Sequence, residues 1–313
     1  GTGEILLRTL WLAVDPLLRF ALDEKPLSGV THFRPGDVLA GPSVCEVIAS
    51  NHPDYAPGDI VEGRTDWAEY AIVDPANCGY RGPPRTLDPA LAPVQTALGA
   101  LGMPGQTAYC GVVDTARVQA WETVVISAAA GTVGSLAGQI AKIHGARVVG
   151  IAGGAEKYAG LLALGFDAAV DYTAGDFAQR LGAALPQGAD VYFDNVGGGV
   201  SLAVMEHLKR GGRMAVCGFI AYYGVGMEGP GPDRLPAFYR LINAKQLEIR
   251  GFAGLMAGQK PLEAIARWMQ EGRIRFPETV LDGIAATPEA FCSVFSGNSS
   301  VGKLLVKVAG VGG

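Results

Sequence analysis

The fold of this chain is decided by the stretch Thr123-Val-Val-Ile-Ser-Ala-Ala-Ala-Gly131-Thr-Val-Gly134-Ser135. An apolar, β-branched run comes first, a glycine-rich turn follows, and apolar residues then recur at helical spacing as far as Ala141. This order predicts a strand, a tight turn and a helix. With Ala129 in place of the first glycine, the turn reads A-x-G-x-x-G, a variant of the fingerprint of dinucleotide-binding domains.

The two glycines of this turn suit a pyrophosphate site. Gly131 lets the backbone approach the phosphates, and Gly134 lets the helix pack closely on the strand. The helix N-terminus adds unpaired N–H groups and a partial positive charge, which attract an anion. A glycine-rich turn that binds nothing is the alternative, and its position between a strand and a helix favours the nucleotide site.

Strands and helices alternate outward from this motif. After Thr123–Ser127 the predicted strands are Arg147–Ala152, Ala168–Tyr172, Asp190–Asp194, Met214–Cys217 and Leu247–Gly251. The predicted helices are Glu156–Leu164, Phe177–Leu185, Val200–Lys209, Arg234–Ala244 and Pro261–Gln270. Such alternation indicates βαβ units, so we expect an α/β fold with a Rossmann-type, doubly wound parallel sheet.

The two ends of the chain follow a different pattern. Short apolar runs between proline and glycine turns predict strands at Glu4–Val14, Val44–Ser50, Asp59–Glu62 and Trp67–Val73. Lys303–Val308 is predicted as a last strand, which we assign to the same domain. Because 313 residues exceed the usual size of one core, we predict two domains, residues 1–99 with 276–313 and residues 100–275.

The end of the second predicted strand of the alternating region bears on the choice of dinucleotide. An NAD site places an acidic side chain there to hold both ribose hydroxyls. Here the residues are Ile151-Ala-Gly-Gly154, with no acid, and Lys157 follows within a helical turn. A missing carboxylate and an added ammonium suit a 2′-phosphate, so we predict NADP(H). The alternative is that Lys157 is a solvated lysine offset by Glu156.

The composition argues against several classes of partner. A net charge of −5 disfavours nucleic acid and anionic membranes, and no apolar stretch is long enough to span a bilayer. The five cysteines are widely spaced and the four histidines have no ligand-spaced cysteine, so we expect no metal site and a reducing cytoplasm. Because the chain opens at Gly1 without a methionine, we expect a further piece before it.

Five segments together resemble the zinc-independent prostaglandin, leukotriene and alkenal/enone double-bond reductases of the medium-chain dehydrogenase/reductase superfamily. They are Ser127–Gln139 (SAAAGTVGSLAGQ), Gly150–Lys157 (GIAGGAEK), Phe193–Gly198 (FDNVGG), Leu101–Tyr109 (LGMPGQTAY) and Ala49–Pro53 (ASNHP). The resemblance runs from Asp15 to Lys303. It implies a Rossmann domain inserted into a split GroES-like, β-rich substrate domain, and often a homodimer. It also implies hydride transfer from NADPH to a small-molecule α,β-unsaturated aldehyde or ketone.

The resemblance also implies roles for individual residues. Those expected at the pyrophosphate are Gly131, Thr132, Val133 and Gly134, and those at the 2′-phosphate are Lys157 and Tyr172. Those expected along the rest of the cofactor are Asn195, Cys217, Gly218, Phe219, Tyr223, Phe252, Ala253 and Gly254. Simpler interpretations stay open: Tyr172 as a solvated strand-end residue, Asn195 as a turn residue, Cys217 as a backbone contributor, and Tyr222 and Tyr223 as packing residues.

Three departures from the family pattern concern the catalytic residues. The family's Asp-Pro-Tyr-Met-Arg reads Asp15-Pro-Leu-Leu-Arg19, and Phe252–Gly258 lacks the family's tyrosine. The closing Gly-x-Asn-x-Gly-Lys is one residue longer, so the family's cofactor-binding asparagine corresponds to Asn298 or Ser300. With those tyrosines absent, Tyr223 is our first candidate to stabilise the enolate and Tyr222 the second.

Three functions are compatible with these residues. An enone or enal reductase is the leading hypothesis. A quinone reductase would use the same NADPH site with a flatter, wider pocket. A protein that binds NADPH without turnover, acting as a sensor or partner, is favoured only by the missing tyrosines.

Overall fold

The computed structural model describes residues 1–23, 32–78, 82–223, 232–254, 258–296 and 301–310. The chain forms two compact units. The first comprises Gly1–Gly102, Glu278–Ser299 and Leu304–Gly313, and the second comprises Met103–Pro277 and Ser300–Lys303. The predicted division, residues 1–99 with 276–313 against residues 100–275, stays a prediction about the domains.

The elements are numbered in chain order. The strands are β1 (Ile5–Ala13), β2 (Ala40–Ser50), β3 (Ile60–Asp66), β4 (Tyr70–Val73), β5 (Arg85–Leu87), β6 (Thr123–Ile126), β7 (Arg147–Ala152), β8 (Ala168–Asp171), β9 (Ala189–Asp194), β10 (Leu208–Val216), β11 (Glu248–Gly251), β12 (Glu278–Asp282) and β13 (Lys303–Lys307). The helices are α1 (Leu18–Ala21), α2 (Met103–Tyr109), α3 (Thr132–Ile143), α4 (Ala155–Ala163), α5 (Phe177–Ala184), α6 (Gly198–His207), α7 (Leu235–Lys245), α8 (Lys260–Gln270) and α9 (Thr287–Phe295). Within the described residues, no helix is long and apolar enough to cross a membrane.

The first unit is built on a mixed sheet in the order β12-β13-β1-β2-β3-β5, with β4 also paired to β1. Strand β1 pairs antiparallel with β2, β4 and β13. It supplies Leu7, Leu10 and Leu12 to three separate buried clusters. Strand β1 therefore organises the hydrophobic core of this unit.

The second unit is built on a six-stranded sheet in the order β11-β10-β9-β6-β7-β8. All five strand pairs are parallel. The chain runs from β6 outward to β8 and then returns to the other side of β6 at β9. This reversal is the switch point at which open parallel sheets bind ligands, at the carboxyl ends of the strands. The predicted α/β fold, with a doubly wound Rossmann sheet, is confirmed.

The predicted boundary between α6 and β10 is wrong. The helix predicted at Val200–Lys209 ends at His207, and the strand begins at once with Leu208, which pairs with Ala189 of β9. The pairing is interrupted between Leu208 and Arg213, where Gly211 has a left-handed φ of +75°. Glycine makes this bulge possible, so the strand starts earlier than the run Met214–Cys217 indicates.

Candidate functional site

The glycine-rich turn joins β6 to α3. The Gly131 N–H group closes it by donating to the Ala128 carbonyl oxygen at 3.0 Å, and Ala128 has a left-handed φ of +46°. A Cβ on Gly134 would lie 2.4 Å from that same oxygen, so only glycine lets α3 approach this closely. Gly131 caps α3 without a side chain, and the first N–H groups of the helix have no intrahelical partner. The turn is thus built to receive an anion.

A short segment, residues 301–303, lies against this turn. Gly302 donates its N–H to the Ala130 carbonyl at 2.9 Å, and its own carbonyl accepts the Thr132 hydroxyl at 3.1 Å. Gly302 has φ of +100°, and a Cβ there would lie 2.0 Å from the Pro277 carbonyl oxygen. Thr132 therefore uses its hydroxyl to hold this segment.

A second cluster lies where β7 ends and α4 begins. Gly154, with φ of +91°, caps α4, and Lys157 lies in the first turn of that helix. A Cβ on Gly153 would lie 3.1 Å from the Tyr172 ring, so the half-exposed ring packs on bare backbone. Burial lowers the pKa of Lys157, an effect that Glu156 partly opposes. A partly desolvated ammonium at a helix N-terminus is a suitable site for a phosphate.

A strand-end carboxylate of this region is Asp171, which ends β8, whereas β7 ends without an acid. Asp171 accepts hydrogen bonds from the Gly154 N–H at 3.2 Å and from the Thr173 N–H and hydroxyl at 2.9 and 2.7 Å. The hydrogen bonds from Thr173 lower the pKa of this carboxyl. Because its oxygens hold the turn after β7, Asp171 shapes the cluster around Lys157.

Asn195 follows β9 on the other side of β6. Its side-chain Nδ2 donates to the Ser127 carbonyl at 2.7 Å, and its backbone N–H donates to the Ser127 hydroxyl at 2.9 Å. Ser127 is the residue directly after β6. The fold therefore ties Asn195 to the strand end from which the glycine-rich turn departs.

The segment after β10 runs along the turn after β9. The backbone N–H groups of Cys217 and Gly218 donate to the Asp194 carbonyl at 2.8 and 3.0 Å, and Ile220 donates to the Asn195 carbonyl at 3.1 Å. Burial raises the pKa of Cys217 to about 12, so its sulfur stays a neutral thiol at neutral pH. Cys217 thus contributes backbone contacts here.

The two neighbouring phenols have different surroundings. The Tyr223 hydroxyl lies 3.5 Å from the position of a Cβ on Gly218, and its oxygen accepts a hydrogen bond from the Phe219 backbone N–H. Burial raises its pKa, so the phenol stays protonated and able to donate. The Tyr222 ring instead lies over the start of α6, where a Cβ on Gly197 would approach it to 3.2 Å. Of the two, Tyr223 lies nearer the end of β10.

The segment Phe252–Gly254 after β11 is seated on α2 and on the π-helical segment that follows α2. A Cβ on Gly254 would lie 2.5 Å from the Thr107 Cα atom, and one on Gly111 would lie 2.6 Å from the Phe252 ring. The rings of Phe252 and Phe193 meet edge to face, with centroids 5.8 Å apart. The two glycines allow this close seating, which leaves Ala253 exposed.

The order of the sheet separates the predicted cofactor residues into two groups. Lys157 and Tyr172 follow β7 and β8 on one side of β6. Asn195, the segment Cys217–Tyr223 and the segment Phe252–Gly254 follow β9, β10 and β11 on the other side. The glycine-rich turn, with Val133 in the first turn of α3, lies between them. Asn298 and Ser300 lie outside the described residues.

The two leucines that replace the family's Tyr-Met pair belong to the first unit. Leu18 is buried in a core cluster with Leu12 and Phe291. Leu17 is 37% exposed. Of the two, only Leu17 has its side chain at the surface of its unit.

Sequence reasoning missed three residues of the cofactor region. Asp171 and Asp194 each end a strand, and Gly302 reaches the glycine-rich turn from the far end of the chain. An acidic residue at the end of an otherwise apolar strand is the sequence feature that could have identified these two carboxylates. Gly302 is the second glycine of the closing Gly-x-Asn-x-Gly-Lys pattern, but that pattern did not indicate its contact with the glycine-rich turn.

Two findings concern the cysteines and metals. The five cysteines, Cys45, Cys78, Cys110, Cys217 and Cys292, are free thiols. Over the residues that the structure describes, no three His, Cys, Asp or Glu side chains group as they would around a metal ion.

Two family models match the chain. The model described as "Zinc-binding dehydrogenase" matches residues 132–271, and the one described as "N-terminal domain of oxidoreductase" matches residues 1–79. The first match begins with the helix that follows the glycine-rich turn.

Individual proteins match over nearly the whole chain. NADPH-dependent curcumin reductase of Escherichia coli is 38% identical over 99% of this chain and 89% of its own length. Prostaglandin reductase 1 of Rattus norvegicus is 38% identical over 98% of this chain and 90% of its own. The crystal structure of CurA from Vibrio vulnificus in complex with NADPH superimposes with a TM-score of 0.90 at 35% identity, covering 99% of this chain and 91% of that one.

Proposed function

Because the chain belongs to the zinc-independent medium-chain dehydrogenase/reductase superfamily, in its enone and alkenal reductase family, we propose that it reduces α,β-unsaturated ketones and aldehydes. The chain is an NADP-dependent oxidoreductase that acts on carbon–carbon double bonds. The proposal adds the substrate class and the residues that do the work.

The residues of the second unit fit NADP(H). The close approach of Gly134 to the Ala128 carbonyl leaves bare backbone and helix N–H groups that would bind a pyrophosphate. Lys157 and Tyr172, at the ends of β7 and β8, would hold the 2′-phosphate. Asn195 and the segments after β10 and β11 would hold the nicotinamide half. When bound, the cofactor supplies the hydride.

The protein's own chemical task is to orient the substrate and to stabilise charge on its carbonyl oxygen. Electrostatic stabilisation of an oxyanion by a fixed donor is commonly the largest catalytic contribution of such a site. Tyr223 suits this role because burial keeps its phenol protonated. The observation that carries the assignment is the position of this phenol at the end of β10, on the side of β6 away from Lys157.

The experiment is to follow NADPH oxidation by the purified chain with a panel of enones and enals beside a panel of quinones. Turnover of enones at a much higher kcat/KM than of quinones is the expected result. Turnover of quinones alone would replace the proposal with a quinone reductase. Tight NADPH binding with turnover of neither panel would replace it with a binding protein.

The resemblance and the free thiols support two further proposals, a homodimer and a cytoplasmic location. Analytical ultracentrifugation of the purified chain tests the first. A monomer at all concentrations would contradict it. Imaging of the tagged protein in its own cells tests the second.

A further inference from the structure

A buried carboxylate lies beneath the part of the site that follows β9. Asp194, the last residue of β9, is 2% exposed. Its Oδ1 accepts hydrogen bonds from the Ser127 hydroxyl at 3.0 Å and the Tyr192 hydroxyl at 2.7 Å. The same oxygen accepts from two backbone N–H groups, those of Val196 at 2.8 Å and Gly197 at 3.0 Å.

The second oxygen of this carboxylate is also used. Oδ2 accepts from the Ser201 hydroxyl of α6 at 2.5 Å. Asp194 is thus surrounded by five donors, and as a carboxylate it accepts from all of them. Its backbone carbonyl accepts two more hydrogen bonds, from Cys217 and Gly218. One residue therefore joins the ends of β6, β9 and β10 to the start of α6.

The carboxylate acts on Asn195 through Ser127. Because Asp194 can only accept, the Ser127 hydroxyl must direct its hydrogen to Asp194, which leaves its oxygen to accept from the Asn195 N–H at 2.9 Å. The Asn195 Nδ2 donates to the Ser127 carbonyl at 2.7 Å. A carbonyl can only accept, so the amide nitrogen must face β6 and the amide oxygen must face away from it.

The position of this oxygen indicates its partner. Ser127 directly precedes the glycine-rich turn that receives the pyrophosphate. Asn195 lies on the side of β6 opposite Lys157. With the 2′-phosphate of the adenosine half at Lys157, as proposed above, the group that would follow the pyrophosphate on the Asn195 side is the nicotinamide ribose. An amide oxygen presented there accepts a hydrogen bond from a ribose hydroxyl.

We propose that Asp194 is a positioning residue for the cofactor, which acts through Ser127 to present the Asn195 amide oxygen to a hydroxyl of the nicotinamide ribose. The proposal rests on the assignment of the nicotinamide half to the β9–β11 side of the sheet. Asp194 does not touch the cofactor itself. Its role is to hold the Ser127 hydroxyl and, through it, the Asn195 backbone, so that the Asn195 amide stays on the Ser127 carbonyl with its oxygen facing away from β6.

The test uses two ligands, NADPH and 2′,5′-ADP, with dissociation constants measured by calorimetry on the full chain. 2′,5′-ADP has the adenosine half and its 2′-phosphate, and it lacks the nicotinamide ribose. Asp194→Asn keeps the side-chain size and one acceptor oxygen, and its amide nitrogen can donate to the Ser201 hydroxyl. It is expected to raise the dissociation constant for NADPH roughly three- to tenfold and that for 2′,5′-ADP less than about twofold.

A double-mutant cycle separates positioning from general stability. Asn195→Ala alone is expected to weaken NADPH binding by a similar factor. Adding Asp194→Asn to Asn195→Ala is expected to weaken NADPH binding further by less than about twofold. Ser127→Ala removes the hydroxyl that joins Asp194 to the Asn195 N–H and leaves the carboxylate in place. It is expected to change the dissociation constants for NADPH and 2′,5′-ADP as Asp194→Asn does. It replaces Asp194→Asn in the test if that variant does not fold.

Two outcomes would overturn the proposal. Equal weakening of both ligands would mean that Asp194 only holds the unit together. Additive effects of Asp194→Asn and Asn195→Ala would mean that it does not act through Asn195. Because no substrate enters this experiment, a chain that binds NADPH but reduces no enone would overturn the proposed substrate class and leave this inference standing.

Discussion

In the parallel sheet of the second unit, the strands on the two sides of β6 contribute differently to one candidate cofactor site: partly exposed charged groups on the β7–β8 side and a buried hydrogen-bonded network on the β9–β10 side. On the β7–β8 side, Tyr172 is 50% exposed, and Lys157 and Asp171 lie at the surface or only partly below it. On the β9–β10 side, Tyr192, Phe193 and Asp194 are buried, and the polar groups among them are hydrogen-bonded to one another.

The difference follows the chemical demands on each side. A 2′-phosphate is recognised by charge, and a charged side chain at a helix end can adjust its position in water. Hydride transfer needs reacting atoms held in a narrow geometry, which buried and fully satisfied networks provide. The comparison predicts that changes on the β9–β10 side cost stability or rate, and changes on the β7–β8 side cost affinity.

The largest expected effect is on stability. Asp194→Ala removes the acceptor of five donors and leaves several of them buried without a partner, so it should lower the free energy of unfolding by at least about 3 kcal/mol. Lys157→Ala, the matched change on the other side, should lower it by less than about 1 kcal/mol. Urea unfolding of both variants measures this, and equal losses would remove the distinction between the sides.

The next effect is on rate. Tyr223→Phe removes a donor to the substrate oxygen without opening a cavity, and should lower kcat for a good enone about a hundredfold with little change in KM. Tyr222→Phe is the control, since that ring packs over Gly197, and should stay near wild type. If Tyr223→Phe and the double variant both keep wild-type turnover, neither phenol stabilises the enolate.

A smaller effect is on the choice of cofactor. Lys157→Ala should weaken NADPH binding by about 1.5–3 kcal/mol, roughly 10- to 150-fold, because a hydrogen bond between charged groups is lost. NADH, which has no 2′-phosphate, should bind almost as before. Lys142→Ala, which removes a lysine paired with Asp167, is the control of equal charge. Equal weakening of both cofactors would exclude Lys157 as a phosphate ligand.

The last prediction is that removal of metal ions leaves the activity unchanged. The chemistry assigned to both sides of the sheet needs no metal, and activity should therefore survive prolonged dialysis against a chelator. Elemental analysis should find less than about one zinc per chain. Zinc at one per chain, lost together with activity, would contradict this prediction.

Local patterns predicted much of the second unit. The apolar run, the glycines and the helical spacing between Thr123 and Ala141 predict β6, the turn and α3, because each depends on residues close in sequence. The boundary between α6 and β10 could not be predicted in this way, since the pairing of Leu208 with Ala189 determines it. Lys157 could be proposed as a 2′-phosphate ligand because its place is counted from the glycine-rich turn.

The sequence by itself determined the fold class, the glycine-rich turn and the missing acid after β7, because these are properties of short segments. Only the tertiary structure decided which groups those segments meet. Ser127 and Asp194 lie 67 residues apart, and Thr132 and Gly302 lie 170 apart. Such contacts depend on the order of strands in the sheet and on the path of the chain back to it. The tertiary structure also distinguishes Tyr223 from Tyr222, which are neighbours in sequence, because one phenol lies beside Gly218 and the other ring lies over Gly197.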